Sequence, residues 1–483
     1  MKAQNTLLTQ VYRHLHLFFL IVHLFSCTST PDQPNIILCM ADDQGWGDIG
    51  YYGHPVLKTP NLDEMASTAL RFDHFYAAAP VCSPTRGSVM TGRNPNRFGC
   101  FSWGRTLRPQ EITIAEVLKK AGYSTGHFGK WHLGSVRKNS PVNPGASGFD
   151  EWLSAENFYD NNPVLSEKGI AVQLHGESSM IIADAALEFI KKESDSGKPF
   201  FAVVWFGSPH NPHIASEENK QLYEGQLENF KEFYGEISGI DQAMGKLRKA
   251  LRKMDIHEKT VLWYCSDNGG LPKLSRTGGR KHKGSIYEGG LRVPAIMEWP
   301  GKIPAPGSVK IPCTTSDIFP TIIDILNIEQ NPGLPLDGIS LMPAINGKTD
   351  HRSQPIGFWQ RPAKGHRMSS KNMMQNLLEE QAKGNIIGDS TLLRLDAWEI
   401  KTIYSTDSFP GHAAWLKWPW KLHRIQKGDS IHFELYNLLE DSLEIHDQFD
   451  IEIQKSAELN IELEHWMESV ISSLNGEDYS KQQ

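Results

Sequence analysis

Short, wholly apolar runs that close in polar clusters alternate along this chain with longer stretches in which apolar residues recur every three or four positions. Asn35-Ile36-Ile37-Leu38-Cys39-Met40 closes in Ala41-Asp42-Asp43-Gln44-Gly45, Phe200 to Phe206 in Gly207-Ser208-Pro209-His210, and Thr260 to Cys265 in Ser266-Asp267-Asn268-Gly269-Gly270. Runs of this kind predict strands buried on both faces that deliver their C-terminal ends to loops. The stripe Tyr234, Ile237, Ile240, Met244, Leu247, Leu251, Met254 predicts a helix packed on those strands. The alternation gives an α/β fold, with a mixed, mostly parallel sheet between helices. Ligands in such sheets bind beyond the carboxyl ends of the strands, so the three polar clusters are expected to converge on one site.

The texture changes after the loop-like stretch Pro335 to Pro343. Trp418-Pro419-Trp420-Lys421-Leu422 and Phe433 to Leu438 read as short aromatic strands, and Leu459, Leu463, Trp466, Val470 and Leu474 as one face of a helix. A large domain over 35–345 and a smaller C-terminal α+β subdomain over 346–483 are therefore expected. The stretch 366–398, with its helix-like Asn372 to Lys383, fits neither pattern and reads as a rim insertion or an interdomain helix.

At the N-terminus, Leu17 to Phe25 is apolar behind Lys2 and Arg13, too short to span a bilayer and of the length of a signal h-region. It ends in Leu24-Phe25-Ser26-Cys27, which resembles a bacterial lipobox. On that likeness residues 1–27 are a signal peptide, Cys27 becomes the lipid-bearing first residue, and 28–34 form a tether. The expected location is the bacterial envelope, as an outer-membrane lipoprotein; ordinary signal cleavage would instead leave a soluble periplasmic protein.

The 483 residues include 39% hydrophobic and 22% charged positions, which suits a large core and excludes a disordered or coiled-coil chain. A net charge of −7 argues against broad attraction to nucleic acid or anionic lipid, so an anionic ligand must be met by a local cluster. The six cysteines show no CxxC spacing, and Cys39 and Cys265, inside apolar runs, read as core residues rather than a disulfide pair.

The segment Pro80-Val81-Cys82-Ser83-Pro84-Thr85-Arg86 carries the sharpest chemistry. Ser83 reads as an N-cap and Pro84 as a first helical residue, which sets Cys82 at the positive end of a helix with Arg86 one turn along, where an anion would meet peptide N–H groups and a guanidinium. Cys82-Ser83-Pro84-Thr85-Arg86 resembles the Cys-x-Pro-Ser/Thr-Arg element of the type I sulfatases of the alkaline-phosphatase superfamily, and the resemblance extends from about Pro34 to the C-terminal aromatic strands. It implies an alkaline-phosphatase-like fold, a sulfatase activity, and oxidation of Cys82 to formylglycine by a maturation enzyme. One hydroxyl of the aldehyde hydrate would attack sulfur, and the other would expel sulfate as the carbonyl re-forms.

The same resemblance assigns the remaining site. Asp42, Asp43, Asp267 and Asn268, with the modified Cys82, match the ligands of one calcium ion, an all-oxygen shell. Gly122 to His132 is similar to the family's second signature, with Phe128 where a smaller aliphatic is commoner; it makes Lys130 a sulfate ligand and His132 the group that takes the hydrate proton. Ser208 to His213 matches a loop whose His210 contacts sulfate, and Lys283 matches the lysine of Lys-Gly-x-x-Tyr-Glu-Gly-Gly. His54, Trp103, Arg105 and His213, with Trp46, are candidates to line the substrate entrance, with a structural or surface role as the alternative for each, and Arg280-Lys281-His282 reads as an ordinary basic run that, beside such a pocket, could touch an acidic polysaccharide. The expected substrate is a sulfated carbohydrate such as an ulvan fragment. Two other readings keep the fold: a phosphonate or phosphate ester hydrolase, and an inactive surface glycan-binding protein.

Overall fold

The computed structural model describes residues 33–328, 333–366 and 370–480, so the signal segment and Cys27 lie outside the described residues. Ten strands form one sheet: β1 (Asn35–Ala41), β2 (Leu70–Tyr76), β3 (Ser124–Lys130), β4 (Glu151–Ala155), β5 (Val164–Glu167), β6 (Ile170–Gln173), β7 (Phe200–Trp205), β8 (Thr260–Ser266), β9 (Ala295–Glu298) and β10 (Gly307–Thr314). Their spatial order is β10-β2-β9-β8-β1-β7-β3-β4-β5-β6. The central pairs β8-β1, β1-β7, β7-β3 and β3-β4 are parallel, while β9 and the β4-β5-β6 edge run antiparallel to their neighbours. The sheet is therefore mixed and mostly parallel, as the alternation predicted.

Helices cover both faces, which is why β1, β7 and β8 are buried at every position. Ile36, Leu38, Val203, Trp205, Val261 and Trp263 face the helices Cys82–Thr91, Ile114–Lys120 and Ile318–Ile325. Ile37, Cys39, Ala202, Val204 and Leu262 face the helices Pro60–Thr68, Ser178–Asp195 and Glu228–Lys253. The last helix buries Tyr234, Ile237, Ile240, Met244, Leu247 and Leu251 of the predicted stripe, while Met254 lies just past its end, half-buried. Each such large apolar side chain removed from water contributes about 1.5 to 3 kcal/mol. Cys39 and Cys265 point to opposite faces of the sheet, and both are free thiols.

A second sheet follows: β11 (Ile356–Gln360), β12 (Gly411–Lys417), β13 (Trp420–Lys427) and β14 (Ser430–Asn437), an antiparallel meander. Leu459, Leu463, Met467 and Val470 of the helix Ile453–Leu474 pack on one face. The other face meets Tyr76, Ile286, Tyr287 and Leu291. Trp418-Pro419, expected within a strand, forms the turn between β12 and β13, because proline has no N–H to give a ladder. The helix Ser370–Ala382 buries Met374 and Leu377 and clamps the β5-β6 turn: Gln381 Nε2 donates to Gly169 O at 3.0 Å and its Oε1 accepts from Ala171 N at 2.8 Å. It thereby covers an antiparallel edge that would otherwise be open to pairing. No helix among the described residues is long and apolar enough to cross a membrane.

Candidate active site

Four adjacent parallel strands, β8, β1, β7 and β3, end side by side, and each delivers a polar group. The β1-β8 register pairs Ala41 with Ser266, so Asp42-Asp43 and Asp267-Asn268 leave the sheet together. Asp267 N donates to Ala41 O at 3.2 Å and Asp43 N to Asp267 Oδ1 at 3.1 Å. β3 ends in Lys130, and β7 leads through Gly207 and Ser208 to His210. Asp43 and His132 both hold left-handed backbone, at φ 72° and 52°, a strained geometry for non-glycine residues that clusters at functional turns. Gly129 precedes Lys130 at φ 105°, where a Cβ would stand 1.8 Å from Trp205 O, so that site admits glycine alone. Phe128 packs on Phe189 at 5.7 Å between ring centroids, on the sheet face that the helix Ser178–Asp195 covers.

Cys82 opens the helix Cys82–Thr91, two residues earlier than expected. Val81, in extended conformation, occupies the cap position without a side-chain bond, and Ser83 is not the cap: its hydroxyl accepts from Gly104 N at 2.8 Å. Pro84 is tolerated because the first-turn N–H groups of a helix have no carbonyl partner within it. Ligand atoms of Asp42, Cys82 and His210 lie within 4.8 Å of one another, as do those of Asp42, Asp43 and Asp267. Asn268 Nδ2 donates to Asp43 Oδ1 at 2.8 Å.

The basic groups are bound to these carboxylates. Lys130 Nζ lies 2.5 Å from Asp42 Oδ2, and Lys283 Nζ lies 2.6 Å from Asp43 Oδ1. Arg86, expected to meet an incoming anion, instead donates to Asp267 Oδ2 at 2.7 Å, lies 3.8 Å from Asp42 Oδ1, and donates to Lys130 O at 3.3 Å. All of its side chain is buried, over the Trp205 ring at 5.0 Å. Its role in the structure is to hold carboxylates that burial would otherwise make costly.

Burial pushes the Asp42 carboxyl up, against the pull of Lys130. Burial acts the same way on Asp43, but Lys283, His210 and Lys130 outweigh it and hold that carboxyl well below the usual range. The Cys82 thiol is pushed up to about 12 by burial, despite Lys130 and Lys283, so the unmodified residue is a protonated and inert thiol at neutral pH. Burial, followed by Lys130 and Arg86, depresses His132, and burial with Lys283 depresses His210. His210 Nδ1 lies 2.6 Å from Asn211 O, a partner that only accepts, so Nδ1 carries the proton and Nε2 turns to Asp43 at 3.8 Å. Phe158 stacks on the His210 ring at 4.4 Å, a platform that no motif or spacing signalled.

These residues fit a hard divalent cation. Asp42 Oδ1 and Asn268 Oδ1 are buried without a hydrogen-bond partner, beside the Asp43 and Asp267 carboxylates, and carboxylate and amide oxygens are the donors that calcium or magnesium takes. Both ring nitrogens of His132 are likewise buried and unbonded.

The entrance candidates fare differently. His54 accepts from Leu57 N at 2.8 Å and sits edge-on to Tyr234, fixing its own loop. His213 is held by Glu236 at 3.2 Å and by the edge of Phe233. Trp46 stacks on Tyr52 at 4.1 Å beneath Arg292. Arg105 donates to Lys364 O at 3.4 Å. Trp103 alone of the five lines the large cavity beside Val81 and Pro84. In the run 280–282, Arg280 is not free for a polysaccharide: it lies over the Tyr287 ring at 4.1 Å and donates to Glu434, Tyr436 and the Glu444 carbonyl, bracing the second sheet.

A buried, capped cysteine facing a carboxylate, lysine and histidine cluster at the strand ends of such a sheet defines an enzyme that handles an anionic ester. The family model described as Sulfatase matches residues 34–328. N-acetylgalactosamine-6-sulfatase of Sus scrofa is 35% identical over 374 residues, 69% of each chain, and arylsulfatase A of Homo sapiens is 31% identical over 379 residues, 70% of this chain and 73% of that one. The crystal structure of Ps i-CgsB in complex with k-i-k-neocarrahexaose shares the fold, with a TM-score of 0.74 at 24% identity over 93% of this chain and 99% of that one. The chain belongs to the sulfatase family and is a sulfuric ester hydrolase. The family generally uses formylglycine and a divalent metal.

Proposed function

We propose that this protein removes sulfate from carbohydrate, with Cys82 matured to formylglycine and one calcium ion held by Asp42, Asp43, Asp267 and Asn268. The observation that carries the reading is the meeting of Cys82 with Asp42 and His210 within 4.8 Å. The similarity to N-acetylgalactosamine-6-sulfatase favours a 6-sulfated hexosamine, with sulfated algal fragments such as ulvan oligosaccharides as the wider class.

The formylglycine hydrate supplies a hydroxyl that attacks sulfur, and the cation supplies positive charge at the sulfate. Of the site's side chains, Cys82, Lys130 and His132 are almost wholly buried, whereas those of His210 and Lys283 are 18% and 19% exposed. The ester therefore enters past His210 and Lys283, which places its sugar oxygen at the mouth. Lys130 and Lys283 bind sulfate oxygens, and the three carboxylates opposite three cationic side chains leave the cation's two charges to attract the ester. His132, with both ring nitrogens unbonded, takes the proton of residue 82. Lys283, a cation, gives the departing oxygen its proton, and His210, its Nδ1–H fixed on Asn211, shares that role only once its Nε2 has itself taken up a proton.

Matured protein should release inorganic sulfate from 6-sulfated N-acetylgalactosamine oligosaccharides, should lose that activity on dialysis against a chelator of divalent ions, and should regain it with calcium. Cleavage of a phosphonate ester with no sulfate release from any glycan, or two zinc ions per active chain, would overturn the proposal.

Export and anchoring through Cys27 belong to the same reading, since a lipid-bearing enzyme meets large external polymers at the envelope surface. In a native bacterial host the protein should fractionate with membranes, and Cys27→Ser should move it to the soluble fraction. Unchanged fractionation of that variant removes the anchor.

A further inference from the structure

A cavity of about 630 Å³ adjoins the reacting residue. It shares Val81 and Pro84 with the loop and helix that carry Cys82, and Gly284 with the loop that carries Lys283. Its far wall is the second sheet. Aromatic side chains of Phe101, Trp103 and Trp359 line it, with the cationic Arg361 and Lys427, and no carboxylate is among the described residues that do so.

Arg361 differs from most enclosed arginines of the molecule, which meet a carboxylate; Arg424, also without one, is instead satisfied in part by Phe409 O and Gln426 Oε1 at 2.9 and 3.0 Å. Arg97, Arg248 and Arg352 each meet a carboxylate, Asp337 at 2.7 Å, Glu298 at 2.8 Å and Asp317 at 2.6 Å. Arg361 has no carboxylate partner among the described residues. Its guanidinium lies among three rings, 4.4 Å from the centroid of Tyr404, 5.4 Å from Trp359 and 5.7 Å from Phe101, and its Nη1 is buried without a hydrogen-bond acceptor. Aromatic faces stabilise a guanidinium but leave its N–H groups unsatisfied, and an unmade hydrogen bond of a buried charged group is costly. A planar anion offers the missing acceptors in matched geometry. Flat rings around it suit the apolar face of a sugar.

We infer that this cavity is a subsite for a second sugar residue that carries an anionic group, sulfate or carboxylate, and is linked to the sugar whose ester is cleaved. Arg361 grips the anion, Lys427 adds charge at the open side, and Trp103 packs on the ring. The inference rests on the carbohydrate-sulfatase reading and sharpens it: the preferred substrate is an anionic oligosaccharide rather than a lone sulfated sugar, because only the former brings a group to Arg361.

The test uses the full chain carrying Cys82→Ala, so that binding is read without turnover, and three disaccharides of 6-sulfated N-acetylgalactosamine whose second residue is neutral, a uronate, or sulfated. Calorimetry should show tightest binding for one or both anionic partners, and comparison of those two arms identifies the preferred anion. Arg361→Gln should weaken the anionic disaccharides by about ten- to hundredfold, the range of a charge-assisted hydrogen bond, and the neutral one by less than about threefold. Arg361→Lys should recover part of the loss. In matured protein without the Cys82→Ala change, the ratio of kcat/KM for the anionic disaccharide over the monosaccharide should fall at least about tenfold in Arg361→Gln. Should that variant fail to fold, Lys427→Ala, at an exposed strand end, should lower the same ratio. Equal weakening of all three disaccharides, or none, overturns the subsite. Discrimination between the disaccharides by a protein that releases no sulfate from any of them would instead sink the functional reading and leave the subsite standing.

Discussion

Cys82→Ala is expected to abolish sulfate release, a loss on the order of 10⁵-fold or more, as for removal of a nucleophile that no neighbour replaces. Its fold should survive, because alanine suits the first turn of a helix and the sulfur makes no hydrogen bond among those of the described residues. Cys82→Ser is the sharper variant. Serine retains one hydroxyl but lacks the second one needed to expel sulfate, so it should take up sulfate at most once per chain and not turn over. Mass spectrometry of the peptide spanning residue 82 checks the premise. Fully active protein with an unmodified thiol there, pushed up to about 12 by burial as it is, would overturn both expectations.

Arg86→Leu should cost the folded state about 3 to 5 kcal/mol, since it leaves two carboxylates in the interior without their shared guanidinium. Asp42, Asp267 and Arg86 all have 0% side-chain exposure. Denaturant unfolding at fixed calcium measures the loss. A cycle with Asp267→Asn should return a coupling of at least about 1 kcal/mol, because residues in direct contact are not additive. Loss of activity in Arg86→Leu with unchanged stability would mean that Arg86 serves the substrate and not the carboxylates, the role its position in the pentapeptide suggested.

That contrast marks where the sequence stops being readable. β1, β7 and β8 were legible because strands buried on both faces must be apolar at consecutive positions, and their polar ends declared the site. The stripe over Glu228–Lys253 was legible for the matching reason on a helix. Arg86 was not, since an arginine binds a carboxylate of its own chain by the same geometry as it binds sulfate, and only the fold decides which is nearer. Lys421 was missed altogether. It reads as a solvated residue in a strand, yet it is buried between Glu288 and Glu444 at 2.9 and 3.0 Å, tying the Lys283 loop to the second sheet. Arg280 misled for the opposite reason: a basic run resembles a surface patch, but Tyr287 and Glu434 draw its first member inward. The helix Ser370–Ala382 gave a weak signal because only Met374 and Leu377 among its apolar residues are buried.

The strand order has a consequence in time. β1 lies between β7 and β8, so the strand that carries Asp42 and Asp43 has no neighbour until the chain is made through residue 205 and lacks its second until residue 266. Cys82, 1% exposed in the finished fold, cannot be enclosed before those carboxylates, Lys130 and Asp267 converge around it. About 180 residues separate Cys82 from the end of β8, and at ribosomal rates their synthesis takes roughly 10 to 40 s. If Cys82 is matured as proposed, an enzyme that must grasp the segment Cys82 to Arg86 has that interval in which to act; the window closes when β8 joins β1.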